Sequence, residues 1–319
     1  MDIHHFSRKE QGFALLITLW VLVFLSIVTM SFIFIMRLGL ASTRNFKEET
    51  VAYYNAMTGY QEAIDFLMED KDPTVDFIDT NGNLILEPEG KSFKVQSSGP
   101  GRLDVKIEDE ESKININTAG ADVLTRLFLK AGVSDEDVGP IVDSVLDWRS
   151  PAGTHRLLGT KSEYYESLDE PYMAKDGPFD TPRELLLVKG VDKKILYGDP
   201  DKGTEGIIKY ITTFTPGPIN INTVQPDVME ILGLTPQEIE GITFLREGKF
   251  GPMKGIAAGL LQRGIAYTAS NYFRIESTGS SPDGKINERI TAVVQRIPSD
   301  KGYKIRVLYW KANVQSIRS

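Results

Sequence analysis

The sequence has no cysteine and only three histidines among its 319 residues. The lack of cysteine excludes disulfide bonds and thiolate metal sites, and it is compatible with a periplasmic domain without requiring one. The histidines are His4, His5 and His155, and none lies in a recognisable motif. HExxH, P-loop and GxSxG strings are also absent. A catalytic pair among the 44 acidic residues stays open, but solvated surface carboxylates are the simpler reading, and we expect no enzyme.

Positive charge is also scarce, because 36 basic residues face 44 acidic ones and leave a net charge of −8. Nucleic-acid binding requires a basic face that neutralises phosphates, so this balance disfavours it. A hydrophobic content of 41% and a charged content of 25% are ordinary for a folded protein. We therefore expect a folded protein that does not bind nucleic acid.

Charge is entirely missing from one segment near the start of the chain. Residues 13–36 are 24 residues without a formal charge. At about 1.5 Å per residue a helix of this length reaches roughly 36 Å, which exceeds the roughly 30 Å of a bilayer core. Arg8 and Lys9 precede the segment and Arg37 follows it, so flanking charge alone leaves the orientation open.

The order of residues at this segment separates several explanations. A secretory signal peptide has a shorter apolar run followed by a small-residue cleavage site. Here the small residue, Gly12, precedes the run, and Phe13 follows it directly. This order resembles a type IV prepilin-like leader, in which cleavage after the glycine leaves the apolar helix on the mature protein. An uncleaved membrane anchor is the alternative.

Position 17 departs from the usual pilin pattern. Most members of that superfamily carry a glutamate five residues into the mature chain, whereas this chain has Ile17. Burying a lone charge in lipid is costly, and that glutamate pairs with the terminal amine of a neighbouring subunit. Among pilin-like proteins, its absence points to the large minor pseudopilin of type II secretion, general secretion pathway protein K.

Helical periodicity continues beyond the apolar segment. Apolar residues recur at intervals of three and four from Val51 to Leu67. We expect one helix to continue to about Asp70 and to end at Asp72 and Pro73. A membrane-proximal coiled coil would require sustained heptads, for which this segment is too short.

Two groups of strands are predicted, far apart in the chain. The first group includes residues 81–90, 92–99 and 102–110, where Leu103, Val105 and Ile107 alternate with polar neighbours. The second group comprises residues 272–281, 288–297 and 303–311. If both groups form one sheet against the long helix, the helical region between them is an insertion.

The middle region contains a near repeat. Residues 112–129 and 217–233 both carry ININT, then Asp-Val and an amphipathic helix. We expect the threonine of each ININT string, Thr118 or Thr223, to cap the following helix. The two units look like helical hairpins of DNA-binding proteins, but carboxylates surround their turns, which favours structural reuse of the hairpin over DNA binding.

The chain resembles the general secretion pathway protein K family over nearly its whole length. The matching strings are ININTA at 114–119, LDWRS at 146–150, residues 159–172, TPRELLLVKGV at 181–191, FTPGPININT at 214–223 and SNYFRIESTG at 270–279. The resemblance implies an α+β fold with a transmembrane spine helix and a pilin-like antiparallel sheet. Into this sheet a large helical domain, SAM-like or helix-hairpin-helix-like, is inserted.

The implied organisation has six parts. They are a leader (1–12), a membrane helix (13–36), the periplasmic part of the spine (37–70), the first part of the β domain (71–111), the α domain (112–269) and the second part of the β domain (270–319). The resemblance implies that prepilin peptidase removes the leader after Gly12 and that Phe13 is N-methylated. It also implies a single-pass inner-membrane protein with a cytoplasmic N-terminus and a periplasmic bulk.

The resemblance also implies a function and partners. The protein would be a noncatalytic minor pseudopilin that caps the periplasmic pseudopilus with the I and J pseudopilins and helps export folded proteins across the outer membrane. Further partners would be the major pseudopilin filament and the inner-membrane assembly platform. The alternative is a bitopic membrane protein with a periplasmic helical binding module unrelated to secretion.

Family members hold calcium in the α domain, so the resemblance suggests calcium as a ligand. Calcium takes about six to eight oxygen ligands, and candidates in the acidic loop are Asp147, Glu163, Asp169, Asp176 and Asp180. The family's DWxD and GAED patterns are replaced by DWRS and KSEY, so Ser150 and Tyr164 stand where oxygen donors are expected. The loop is therefore either a calcium site or a solvated acidic surface.

Overall fold

A computed structural model describes residues 8–70, 74–75, 91–93, 100–201, 203–247, 251–300 and 302–316. The helices are α1 (Arg8–Glu69), α2 (Ala121–Lys130), α3 (Asp135–Arg149), α4 (Ser162–Glu166), α5 (Lys193–Tyr197), α6 (Pro226–Ile231), α7 (Pro236–Glu247) and α8 (Ala258–Leu261). Short 3-10 helices span Glu110–Ser112, Pro182–Leu187 and Ile207–Lys209.

The strands lie on both sides of the central helices and also among them. They are β1 (Lys91–Phe93), β2 (Arg102–Asp109), β3 (Ile114–Asn115), β4 (Gly198–Asp199), β5 (Thr204–Glu205), β6 (Ile211–Thr212), β7 (Ile219–Asn220), β8 (Ile265–Tyr267), β9 (Tyr272–Ser280), β10 (Ile286–Ser299) and β11 (Gly302–Ser316). The predicted stop at Asp72 and Pro73 and the predicted strand at 81–90 lie outside the described residues, as does most of 92–99.

A five-stranded antiparallel sheet joins the two strand groups in the order β1-β2-β9-β10-β11. The link is the pairing of β2 with β9, in which Arg102 faces Ser280 and Asp109 faces Phe273. The predicted alternation on β2 is confirmed, because Leu103, Val105 and Ile107 are all buried. The α+β class predicted from the sequence is therefore confirmed.

The second half of α1 packs on one face of this sheet. Ala63, Ile64 and Leu67 share a core with residues of β2, β9 and β10. The approach is close, since a Cβ built on Gly279 would lie 2.1 Å from the carbonyl oxygen of Ala52. Small residues at the contact thus allow the helix backbone to lie directly on the sheet.

The chain leaves the sheet after Asp109 and returns to it at Tyr272. The residues between form a second and larger core, which includes Leu124, Phe128, Trp148 and Tyr210. The sequence indicates that this region is helical, and the structure adds three two-stranded sheets to the helices. Two of them are parallel pairs, β3 with β6 and β7 with β8. We call residues 110–271 the α domain.

Candidate functional site

The apolar half of α1 presents its side chains to the surroundings. The large apolar side chains between Phe13 and Met36 are exposed, including Ile17 at 48%. Hydroxyl groups within this stretch donate to backbone carbonyls one turn back, as Ser26 does to Leu22 at 2.8 Å. Among the described residues, one helix is long and apolar enough to cross a membrane, and it is this one.

Gly12 and Phe13 both lie within α1, which begins at Arg8. The uncleaved chain therefore continues as helix through the predicted processing position. The Phe13 side chain is exposed. The predictions of cleavage after Gly12 and of methylation at Phe13 stay predictions.

The end of α1 is fixed to the sheet by one buried arginine. Arg296 on β10 donates to a carboxylate oxygen of Asp70 at 2.8 Å and to the carbonyl of Ser270 at 2.8 Å. Its guanidinium also lies over the rings of Phe273 and Tyr303. Arg296 therefore joins the end of the helix, the sheet and the point where the α domain rejoins the sheet. Removing one partner of this buried ion pair would leave an uncompensated charge.

The near repeat in the sequence is also a repeat in structure. Asn117 accepts from the amide of Phe179 at 2.7 Å and donates to its carbonyl at 2.9 Å. Asn222 does the same with Met253, at 2.8 and 2.9 Å. Each asparagine side chain thus binds both the N–H and the C=O of one loop residue, as a neighbouring strand would. In both units that loop begins with Gly-Pro, at 177–178 in one and 251–252 in the other.

A matching arginine closes each unit. Arg149 donates to the carbonyls of Ile116 and Ala119. Arg246 donates to the carbonyls of Ile221 and Val224, which have the same spacing of three residues. Each ININT turn is therefore clamped by a guanidinium from the second helix of its own hairpin. Burial and the nearby Arg156 lower the pKa of Arg149 to about 10.

The predicted capping of α2 and α6 by threonine is wrong. The residues that precede these helices are Gly120 and Gln225, and neither makes a side-chain cap. Thr223 instead donates to a carboxylate oxygen of Asp109. The turn is made by the asparagines, because Asn115 and Asn220 each accept from the amide two residues on.

Side-chain caps do occur, but one helix later in each unit. Ser134 accepts from the amide of Asp137 at 3.2 Å, and Thr235 accepts from the amide of Glu238 at 3.3 Å. In the second unit, the Glu238 carboxylate also accepts from the amide of Thr235 at 2.7 Å, which completes a capping box. The two units thus share their turn, clamp and cap.

Three consecutive carboxylates join the α domain to the sheet, and we call Asp109, Glu110 and Glu111 the junction. All three are buried. Glu111 accepts from the amide of Asn271 at 2.6 Å, so the point where the chain leaves the sheet is tied to the point where it returns.

Asp109 engages the second repeat. It accepts from Asn220 at 3.1 Å, from Thr223 and Ser270, and from the amide of Glu111 at 2.7 Å. Burial raises the pKa of Asp109 above its usual range, and these hydrogen bonds offset only part of that effect.

Glu110 engages β6, the strand that pairs with β3 of the first repeat. It accepts from the Thr212 hydroxyl at 2.8 Å and forms a two-pronged ion pair with Arg274, at 2.7 and 3.0 Å. Lys113 adds a third contact at 3.1 Å. Burial alone would raise the pKa of Glu110, but Lys113 and Arg274 outweigh it and lower the pKa to about 2. Glu110 is therefore ionised at neutral pH.

The structure does not bring the five candidate calcium ligands together. Asp147 is buried and its carboxylate accepts from Arg156, from the backbone amide at 3.1 Å and from the guanidinium at 2.9 Å. Asp180 is exposed and pairs with Lys175 at 2.7 Å. Glu163 and Asp169 are exposed. In the described part of the chain, no group of three or more acidic, histidine or cysteine side chains is placed to hold a metal ion.

Asp176 binds a cation that belongs to the chain itself. Its carboxylate accepts from the Lys161 ammonium at 2.6 Å. The same ammonium donates to the carbonyl oxygens of Asp147 at 2.7 Å and Ser150 at 3.1 Å. Lys161 and Arg156 are not among the candidates predicted from the sequence, because those were restricted to the acidic residues of the loop. The many carboxylates between Asp147 and Asp180 are the signal that cations lie nearby.

Comparison with known proteins adds a family assignment to this geometry. Residues 101–197 match the family model for type II secretion system (T2SS) protein K, in its first domain. The chain carries a protein K domain. This match confirms, over residues 101–197, the recognition made from the sequence.

Solved structures agree with the protein K assignment at the level of fold. A chain of the crystal structure of the GspK-GspI-GspJ complex from the enterotoxigenic Escherichia coli type 2 secretion system aligns with a TM-score of 0.60 and 16% identity. The alignment covers 85% of this chain and 99% of that one. No curated protein matches the sequence significantly. The chain therefore shares its overall fold with a solved structure over 85% of its length.

Proposed function

We propose that this chain caps the tip of the periplasmic pseudopilus together with the I and J pseudopilins, and so helps export folded proteins across the outer membrane. The observation that carries the proposal is the position of the α domain, which is inserted between β2 and β9 of a helix-and-sheet unit. A domain of this bulk would collide with a subunit stacked on that unit. The filament tip is the one place where nothing follows.

Ile17 supports the same position. Its side chain is apolar and exposed on α1, so the chain offers no carboxylate to the terminal amine of a neighbour. Burying that amine in lipid without a partner is costly. A subunit at the end of a filament avoids this cost because it has a neighbour on one side only.

The anchoring follows from the apolar helix. We infer that residues 1–12 are cytoplasmic, that residues 13–36 cross the inner membrane and that the bulk is periplasmic. Prepilin peptidase would remove the leader after Gly12, and Phe13 would be methylated. The exposed apolar face of α1 is the surface we assign to the major pseudopilin filament and the inner-membrane assembly platform. Two buried cores and a set of polar contacts used within the fold support a structural role without catalysis.

The test is assembly with the two proposed partners. The GspK-GspI-GspJ crystal structure includes a chain of this fold, so we expect the full-length chain to form one defined complex with the I and J pseudopilins of its own organism. The three proteins should co-elute from a sizing column in detergent, and the control is the I and J pair without the chain. Separate elution of all three would contradict the proposal and favour the bitopic alternative.

A further inference from the structure

We propose that the Lys161 ammonium is the resident cation of the acidic loop, so that this α domain is organised without a divalent ion. The loop runs from the end of α3 to Gly177 and returns to its start, since the amide of Gly177 donates to the carbonyl of Trp148 at 3.3 Å. Such a closed acidic loop requires a positive charge at its centre, and the chain supplies one.

The ammonium is fully satisfied where it lies. A lysine has three N–H donors, and three oxygens lie 2.6, 2.7 and 3.1 Å from Lys161 Nζ. Two of them are the carbonyls of Asp147 and Ser150, at the end of α3, where helix carbonyls lack partners and the dipole favours a cation. The third is the carboxylate of Asp176, and Lys161 itself is only 12% exposed.

The backbone is shaped to place the third oxygen. Asp176 has a φ of 51°, and in the described part of the chain it is the only residue other than glycine with a positive φ. That conformation is unfavourable for an aspartate unless its contacts compensate. Adjacent to the lysine, the Ser162 hydroxyl accepts from the amide of Ala174 at 3.1 Å. Lys161 and Ser162, which are neighbours in sequence, thus bind the start of the loop near Asp147 and its end near Ala174 and Asp176.

The remaining donors do not fit calcium. Calcium takes about six to eight oxygens at roughly 2.3–2.6 Å, yet the carbonyls of Asp147 and Ser150 already bind the ammonium. The Asp147 carboxylate is occupied by Arg156, and the Ser150 hydroxyl donates to the carbonyl of Leu146 at 2.6 Å.

The cleft beside the loop already contains a cation. It measures about 510 Å³, and its lining includes Glu163 and Asp176 together with Lys161 and His155. A divalent ion would have to displace the Lys161 ammonium from Asp176. The residues therefore favour an internal lysine over an external ion.

The experiment uses the full-length chain in detergent, with Trp20 and Trp310 replaced by phenylalanine so that fluorescence reports Trp148. Trp148 is buried on α3 at the start of the loop and stacks on Phe179, just after the end of the loop. We expect the melting temperature to be the same in calcium and in chelator. We expect Lys161→Met to lower it by about 5 to 10 °C, because Asp176 and two carbonyls lose their partner.

The matched control is Lys175→Met in the same loop. Lys175 pairs with Asp180 and Glu184 nearer the surface, so this change should shift the melting temperature by about 2 °C or less. The proposal is overturned if calcium binds the unsubstituted chain stoichiometrically in calorimetry and raises its melting temperature, or if Lys161→Met melts like the control. Should Lys161→Met not fold, the calcium titration of the unsubstituted chain decides alone.

Discussion

At the scale of residues, the junction shows how charge is used inside this protein. Asp109 and Glu110 are neighbours in sequence, yet the pKa of the first is raised and that of the second is lowered to about 2. The difference arises from their partners, since Asp109 meets hydroxyl and amide donors whereas Glu110 meets Arg274 and Lys113. Only Glu110 therefore gains stability from being ionised.

Glu110→Gln tests this ion pair through its pH dependence. Because the folded-state pKa is below the ordinary value of 4.5, the contribution of Glu110 is present above about pH 4.5 and is lost as the pH falls toward 2. We expect the variant to lose about 3 kcal/mol of unfolding free energy at pH 7 and progressively less at lower pH. Urea unfolding between pH 7 and pH 3 measures the difference.

The control is Glu240→Gln on the exposed surface of α7, which should match the unsubstituted chain throughout that range. A difference for Glu110→Gln that stays constant with pH would contradict the assignment of its effect to the ionised carboxylate. Because the pKa of Asp109 is raised, its contribution to the pH dependence of stability has the opposite sign. Asp109 is present in both proteins, so this contribution cancels in the comparison.

At the scale of elements, the contact of α1 with β9 depends on the absence of side chains. A Cβ on Gly279 would lie 2.1 Å from the carbonyl oxygen of Ala52 and 2.3 Å from the amide nitrogen of Ala56. Both atoms belong to the helix backbone, which cannot turn aside as a side chain can. The spacing of helix and sheet is therefore fixed at this strand.

Gly279→Ala should consequently destabilise the β domain. Overpacking typically costs about 1 to 3 kcal/mol. This cost exceeds the small gain in stability expected when alanine replaces glycine in a strand. Trp310 contacts Tyr60 of α1 edge to face, with ring centroids 4.8 Å apart, so its fluorescence during urea unfolding reports this contact. The control Gly39→Ala, in α1 with nothing within 4 Å of its Cβ position, should be neutral or stabilising. Equal stability of the two variants would contradict the close contact.

Periodicity made the long elements predictable. The alternation of Leu103, Val105 and Ile107 indicates the buried face of β2, and the structure buries all three. The helical spacing up to Leu67 likewise indicates the buried face of α1, where Ala63, Ile64 and Leu67 are buried although Tyr54 is exposed. The repeated ININT strings likewise indicated two related units. These features depend on neighbours within one element, which a single sequence displays directly.

Contacts between distant loops were not predictable in the same way. The prediction of threonine caps was wrong for two reasons. Asn115 and Asn220 make the turn, and Thr223 donates a hydrogen bond to Asp109, which is 114 residues away. The candidate calcium ligands depend on charge alone, whereas in the structure Asp147 accepts from Arg156 and Asp176 accepts from Lys161. Such partners depend on how the loop closes, and no local pattern encodes that.

At the scale of the whole molecule, the chain combines an exposed apolar helix with two separately packed cores. The first 12 residues precede the apolar segment. Their fate distinguishes a processed pseudopilin from an uncleaved membrane protein, because the folded part is the same in both.

Gly12→Leu should therefore keep the leader on the chain. A peptidase that cuts after glycine cannot accommodate a bulky residue there, so we expect the variant to retain its full mass in cells that contain prepilin peptidase. Mass spectrometry of the unsubstituted chain should find Phe13 as a methylated first residue. The control Ile17→Leu leaves the cleavage position intact and should be processed normally. A mature protein that still begins at Met1 would contradict the prediction.

The adjacency of Asp109 and Glu110 has a mechanical consequence. The chain enters the α domain from β2 and leaves it into β9, so a force applied to α1 reaches the domain through the ends of these two strands. At this point Asp109 accepts from Asn220 of the second repeat, and Glu110 accepts from Thr212 of β6, which pairs with the first repeat. We expect both halves of the domain to follow a movement of α1 together.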